Sequence, residues 1–217
     1  MASQYDAEIK TTLPLLGMFY QVTLNLVHAT GIAAQRWLDT GCGTGTFAVQ
    51  ARQRFTDVLF TLADPSQAML QVAQAKLDTD IGVSFRLGGT GELDFPDGLF
   101  DVITAIQCHH YLDQTARRAA TRNCFRMLAP GGVYVTFENI RPTTAQGVQV
   151  GLRMWGDYQI AAGRTPDQAR EHARRFDAEY HPITIPQHMD LLRDTGFKTV
   201  DMLWASYMQA GFWAVKP

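Results

Sequence analysis

The run Leu38-Asp39-Thr40-Gly41-Cys42-Gly43-Thr44-Gly45-Thr46-Phe47 carries the densest chemistry in the chain. Glycines at alternate positions let the backbone take positive φ and come close to a ligand. A helix opening directly after them offers unpaired N–H groups. A dinucleotide site would need G-x-G-x-x-G, but here the third glycine, Gly45, comes one residue early and Thr46 stands in its place. A P-loop would need Lys-Ser or Lys-Thr after the glycines, and neither follows. Asp39 would repel a pyrophosphate, so the segment suits a cationic or amine-bearing ligand better.

A second candidate is Gln107-Cys108-His109-His110-Tyr111. Adjacent histidines on an extended segment point to opposite sides, which makes them a poor metal pair. His109, with an unperturbed pKa near neutral, is the candidate base facing a substrate, against the plainer reading of a residue lining the site. Cys108 reads as a buried small hydrophobe, because nothing near it in sequence lowers its pKa. Cys42, Cys108 and Cys124 are far apart and odd in number, which argues against a disulfide framework and a structural zinc. We expect no metal.

These residues need elements to position them, and the hydrophobic pattern supplies short apolar runs alternating with helical stretches. Strands are predicted over 36–39, 58–63, 83–87, 100–106, 133–137, 198–205 and 208–215. Helices are predicted over 46–55, after Ser66, from Asp113 to about 128, and over 186–195 with Gly196 as the stop. The alternation implies an α/β fold with a doubly wound, mostly parallel seven-stranded sheet. Its last two strands are too close for a crossover and must form an antiparallel hairpin. An N-terminal helix over 1–34 and a mostly helical insertion over about 141–181 complete a single Rossmann-like domain, 1–217.

At 217 residues, with 19 basic and 21 acidic side chains, the chain has a formal charge of -2 and no electrostatic footprint for a nucleic-acid backbone. No apolar run approaches the ~20 residues that span a bilayer, and the first residues lack a signal-peptide pattern. A cytoplasmic protein without a membrane or nucleic-acid partner is expected, as a monomer or homodimer.

The segment 38–47 resembles the first motif of class I S-adenosylmethionine-dependent methyltransferases, and the resemblance continues in order to about residue 137. Asp64-Pro65-Ser66-Gln67-Ala68-Met69-Leu70 is similar to that family's acidic turn and following helix; 95–102 and 126–132 are similar to its later turns. The resemblance implies S-adenosylmethionine as cofactor, held by Asp39, Gly41, Cys42, Gly43 and the Gln107 region. Asp64 would take the ribose diol, and Pro65 and Met69 would pack near the adenine. Where the family usually has an acid for the adenine amino group, this chain has Gly89; Thr90, Gly91 or the Glu92 carboxylate would take over. The 141–181 insertion would cover the site as a lid, its Trp155 and Tyr158 joining Tyr5, Tyr20 and His109 around a substrate. The implied reaction is in-line methyl transfer to a small or medium-sized, partly apolar metabolite, leaving S-adenosylhomocysteine. Other readings are a carboxy-S-adenosylmethionine-type enzyme, a non-catalytic cofactor-binding module and, against the Thr46 argument, a nicotinamide-dependent oxidoreductase.

Overall fold

A computed structural model describes residues 2–78 and 80–217, with the side chains of residues 2 and 3 left aside. The alternation read from the sequence becomes β1 (Arg36–Thr40), α3 (Thr46–Arg54), β2 (Leu59–Asp64), α4 (Gln67–Leu77), β3 (Val83–Leu87), β4 (Phe100–Ile106), α5 (Gln114–Met127) and β5 (Leu128–Asn139). Then follow α6 (Ala145–Ala161), α7 (Pro166–Arg174), α8 (Ile185–Thr195), β6 (Thr199–Ser206) and β7 (Gln209–Val215). The seven strands form one sheet in the order 3-2-1-4-5-7-6, parallel throughout except for β7, which runs against both β5 and β6. The doubly wound sheet with its closing antiparallel hairpin is the expected fold.

Side-chain alternation sends neighbouring residues to opposite faces. Trp37 joins Phe47, Phe60 and Val102 in one core, while Leu38 joins Ile103, Tyr134 and Phe212 in the other. Trp37 packs flat on Phe60 with ring centroids 5.3 Å apart.

The helix expected over 1–34 is two helices, α1 (Ala2–Thr12) and α2 (Leu16–Ala29); Met1 lies outside the described residues. Pro14 has no N–H to continue the ladder, and Leu15 takes a left-handed φ of 57° at the start of α2. The expected strand 133–137 extends on both sides, from Leu128 to Asn139, and its C-terminal extension brings Glu138 into the sheet. Capping follows the sequence: the Asp113 side chain accepts from Ala116 N–H at 2.8 Å, and Gly196 ends α8 at φ 115°.

Candidate active site

The C-terminal ends of β1, β2 and β4 meet at the point where the strand order reverses, between β1 and β4. That is where an open parallel sheet leaves a crevice. A cavity of about 980 Å³ opens there, roofed by α1 and α2.

The glycine loop is tied to the neighbouring strand end rather than left free. Cys42 N–H donates to the Ala63 carbonyl at 3.0 Å, and Gly43 N–H donates to Asp64 Oδ2 at 2.8 Å. Gly41 sits at φ 65°, where a Cβ would lie 2.4 Å from the Cys108 Cβ, so no larger residue fits. Asp64 Oδ1 accepts from Ser66 N–H at 2.8 Å. An ionised carboxylate has about four acceptor positions. Two are used by backbone, leaving about two for a ligand in the cavity that Asp64 lines. Burial raises the Asp64 pKa, although the Ser66 and Gly43 N–H groups pull against it.

Asp39, buried at the end of β1, accepts from the Thr104 hydroxyl at 2.7 Å. Burial pushes its pKa up to about 7, the Thr104 bond opposes the rise, and the Asp64 charge adds to it. A buried acid poised at neutral pH is ready to ionise beside an incoming cation. Gln107 takes a left-handed φ of 58°, held by its N–H donating to the Phe137 carbonyl at 2.6 Å. Its side-chain Nε2 is buried with no partner among the described residues. Gln107 lines the cavity, and a strained residue there with an unpaired polar group is a candidate ligand-binding position.

The cavity thus gathers Asp39, Gly41, Cys42, Gly43, Asp64, Pro65, Met69 and Gln107, together with Tyr5, Tyr20 and Tyr158. Burial, chiefly, raises the Tyr5 pKa to about 12 and that of Tyr20 further, so both phenols stay protonated at neutral pH. Tyr158 roofs the site by donating to the carbonyls of Lys10 (3.2 Å) and Leu13 (3.4 Å) on and after α1.

Four expected site residues lie elsewhere. His109 does not line the cavity: it is buried, with Nε2 3.1 Å from the Thr90 hydroxyl and Nδ1 3.3 Å from the Tyr134 hydroxyl. Burial lowers its pKa, and both ring nitrogens are engaged, so it is not a base aimed at a substrate. Thr90 turns its hydroxyl inward to Thr40 at 2.7 Å, in a short 3-10 turn (Thr90–Glu92) beside α5. Gly91 is in that turn and also off the cavity lining, while the Glu92 carboxylate accepts from Gly89 N–H at 3.1 Å. Trp155 is core: its indole N–H donates to the Thr12 carbonyl at 2.7 Å and pins α6 to α1.

Other residues at the site went unread. The Asp6 carboxylate on α1 accepts from Thr44 (2.5 Å), Thr46 (3.0 Å) and Lys76 (2.5 Å), clasping α1 to the glycine loop and α4. Nothing in the sequence links positions so far apart. Glu138, beneath the Gln107–Tyr111 segment, left a faint signal: an acid directly after an apolar strand. Among the described residues no group of three or more His, Cys, Asp or Glu side chains is placed to hold a metal. No helix there is long and apolar enough to cross a membrane.

Sheet order, glycine loop and crevice define a Rossmann-like nucleotide-binding fold of the methyltransferase type. Residues 38–132 match the methyltransferase domain family. Over 112 residues the chain is 38% identical to the ubiquinone/menaquinone biosynthesis C-methyltransferase UbiE of Vibrio parahaemolyticus, covering 50% of this chain and 42% of that protein. The chain therefore spans under half the length of relatives at that identity. It is 20% identical over 220 residues to the carboxy-S-adenosyl-L-methionine synthase of Nautilia profundicola, covering 100% of this chain and 92% of the other. The solved Haemonchus contortus phosphoethanolamine N-methyltransferase 2, in complex with phosphomonomethylethanolamine and S-adenosylhomocysteine, shares the fold at a TM-score of 0.70 and 17% identity. That likeness covers 100% of this chain and 57% of the solved one. In the domain matched over residues 38–132 and in its fold the chain is similar to the class I S-adenosylmethionine-dependent methyltransferases.

Proposed function

We propose that the chain transfers a methyl group from S-adenosylmethionine to a small or medium-sized, partly apolar metabolite by in-line displacement. The observation that carries this reading is the division of the cavity wall. One part is polar and built from strand ends: Asp39, the 41–43 loop, Asp64 and Gln107. The other is apolar and aromatic, supplied by Ile9, Leu13, Leu16, Tyr20, Phe47 and Ile106. The first suits the cofactor, with Asp64 on the ribose diol and Asp39 near the amino acid end, where its ionised form complements the ammonium group.

When bound, the cofactor supplies a methyl group already activated on a sulfonium. The protein's part is to orient and to keep water out. Alignment of nucleophile, carbon and leaving sulfur is worth ~7–11 kcal/mol of barrier. Of the acidic groups at the cavity, Asp6 is clasped by Lys76 and two threonines, and this reading gives Asp39 and Asp64 to the cofactor. With His109 turned away, the reading favours an acceptor that needs positioning more than proton abstraction. A cytoplasmic setting, a monomer or homodimer, and no nucleic-acid partner belong to the same proposal.

The full-length match to a carboxy-S-adenosylmethionine synthase raises a second reading, a reaction joining an acidic substrate to the cofactor. Such a substrate calls for a free cation. Among the described residues the cations on the cavity wall are Lys10 and Lys76, and Lys76 is engaged by Asp6. The test is incubation with methyl-deuterated S-adenosylmethionine and a panel of apolar phenols, amines and thiols, followed by mass spectrometry. Acceptor-dependent S-adenosylhomocysteine and a product three mass units above ordinary methylation are expected. A carboxylated cofactor, or binding without turnover across the panel, would overturn the reading.

A further inference from the structure

Glu138 is fully buried at the end of β5, and every polar contact it makes is directed at one segment or its own strand. Its Oε2 accepts from His110 N–H at 2.8 Å and faces His110 Nδ1 at 2.9 Å; its Oε1 accepts from Thr136 Oγ1 at 2.6 Å and from His109 N–H at 3.3 Å. A carboxylate can only accept, so the His110 ring proton is assigned to Nδ1. Burial by itself would raise the Glu138 pKa, but His110, His109 and Thr136 together hold it down to about 2, so the carboxylate stays ionised.

The segment held in this way begins with Gln107 at φ 58° and ends against the lid insertion. Its members Gln107, Cys108 and Tyr111 face the cavity, while His110 packs on Tyr111 with ring centroids 4.6 Å apart. His181 N–H donates to the His110 carbonyl at 2.7 Å, and Tyr180 packs edge-on against both His110 and Tyr111. The buried Arg117 guanidinium donates to the carbonyls of His109, Leu112 and His181, closing the other side of the segment.

We propose that Glu138 is a positioning residue for the reaction: its carboxylate fixes the Gln107–Tyr111 segment, and through it the cofactor-facing Gln107 and the docking of the lid's C-terminal end. It touches neither cofactor nor acceptor. The inference rests on the reading that this cavity binds S-adenosylmethionine. An amide cannot replace the carboxylate. If its NH2 takes the Oε2 place, it faces the His110 N–H, donor to donor. If it takes the Oε1 place, it faces the His109 N–H. Either rotamer leaves a buried N–H unpaired, and the segment must shift to relieve it.

The experiment is a calorimetric double-mutant cycle with S-adenosylhomocysteine as probe, on Glu138→Gln, Gln107→Ala and the double variant, run well below each variant's melting temperature. Glu138→Gln is expected to weaken binding about tenfold, and Gln107→Ala to cost several-fold in the parent but almost nothing beside Glu138→Gln. Glu138→Asp, which keeps the acceptors, should recover part of the affinity. A lowered melting temperature with affinity within twofold of the parent would show Glu138 to be structural only and overturn the proposal, as would full additivity. If Glu138→Gln does not fold, Thr136→Val, which removes one donor to the carboxylate, replaces it in the cycle with the same criteria. Failure of the parent to bind the probe would instead overturn the cofactor reading on which the inference rests.

Discussion

Asp64 offers the sharpest perturbation, because its acceptor count can be worked through. Two of its roughly four acceptor positions are taken by Gly43 N–H and Ser66 N–H, each at 2.8 Å. The two that remain match the two hydroxyls of a ribose. Hydrogen bonds to a charged group contribute ~1.5–3 kcal/mol each, so a pair is worth ~3–6 kcal/mol. Part of this is offset by the burial that raises the Asp64 pKa, which places the expected loss near the lower bound, about a hundredfold in Kd. Asp64→Ala also frees the glycine loop, so the substitution alone confounds clamp and scaffold. Changing the ligand separates them. S-adenosylhomocysteine and its 2′-deoxy analogue should differ about tenfold or more on the parent, and hardly at all on Asp64→Ala, by isothermal calorimetry. Equal discrimination by parent and variant would refute the argument that Asp64 reads the diol.

Three further outcomes follow from the geometry. Asp39 has a folded pKa of about 7 against the ordinary aspartate value of 3.8, so its burial destabilises the free protein progressively as pH rises between those values. An ammonium-bearing ligand favours the ionised form; affinity for S-adenosylhomocysteine should rise with pH up to about 7, with proton release near pH 6, and Asp39→Asn should flatten both, as measured by calorimetry in buffers of differing ionisation enthalpy. Replacing His109 by Phe leaves the Thr90 and Tyr134 hydroxyls short of a partner and should lower the melting temperature by several degrees, at ~1–3 kcal/mol, without moving the ligand Kd or the pH profile of turnover; loss of turnover at unchanged stability would restore it as a base. Gly41→Ala and Gly43→Ala should separate in urea melts: both suffer a positive φ, at ~1–2 kcal/mol, but only Gly41 would press a Cβ to 2.4 Å from Cys108, whereas a Cβ at Gly43 meets nothing within 4 Å.

What the sequence disclosed follows from the range of the forces involved. Strands and helices are local patterns, and a glycine loop between a strand and a helix carries its geometry in a few adjacent residues. Asp39, the 41–43 loop, Asp64 and Gln107 could be read because each sits at a strand end, where backbone direction fixes its side chain toward the crevice. His109 misled because the extended segment assumed for it is a short helical turn (His109–Tyr111), which rotates its ring inward to Tyr134 and Thr90. Trp155 misled because helical spacing marks an apolar face without saying what covers it; here the cover is α1, through the Thr12 carbonyl. Arg126 on α5 reaches over to the Phe95 carbonyl at 2.6 Å and to Asp97 at 2.7 Å and braces the turn before β4, a pairing that its place on the helix does not announce. The Asp6 clasp joins α1 to partners dozens of residues away, and no local pattern announces such a pairing.

The most direct test of the central claim is a crystal structure of the chain with S-adenosylhomocysteine. The ribose hydroxyls are expected on Asp64, the amino group beside Asp39 and the Gln107 side chain on the ligand, with the sulfur facing the apolar wall of Leu16, Tyr20 and Phe47. Ligand bound away from the 41–43 loop, or with its sulfur turned from that wall so that no acceptor can reach in line, would contradict it.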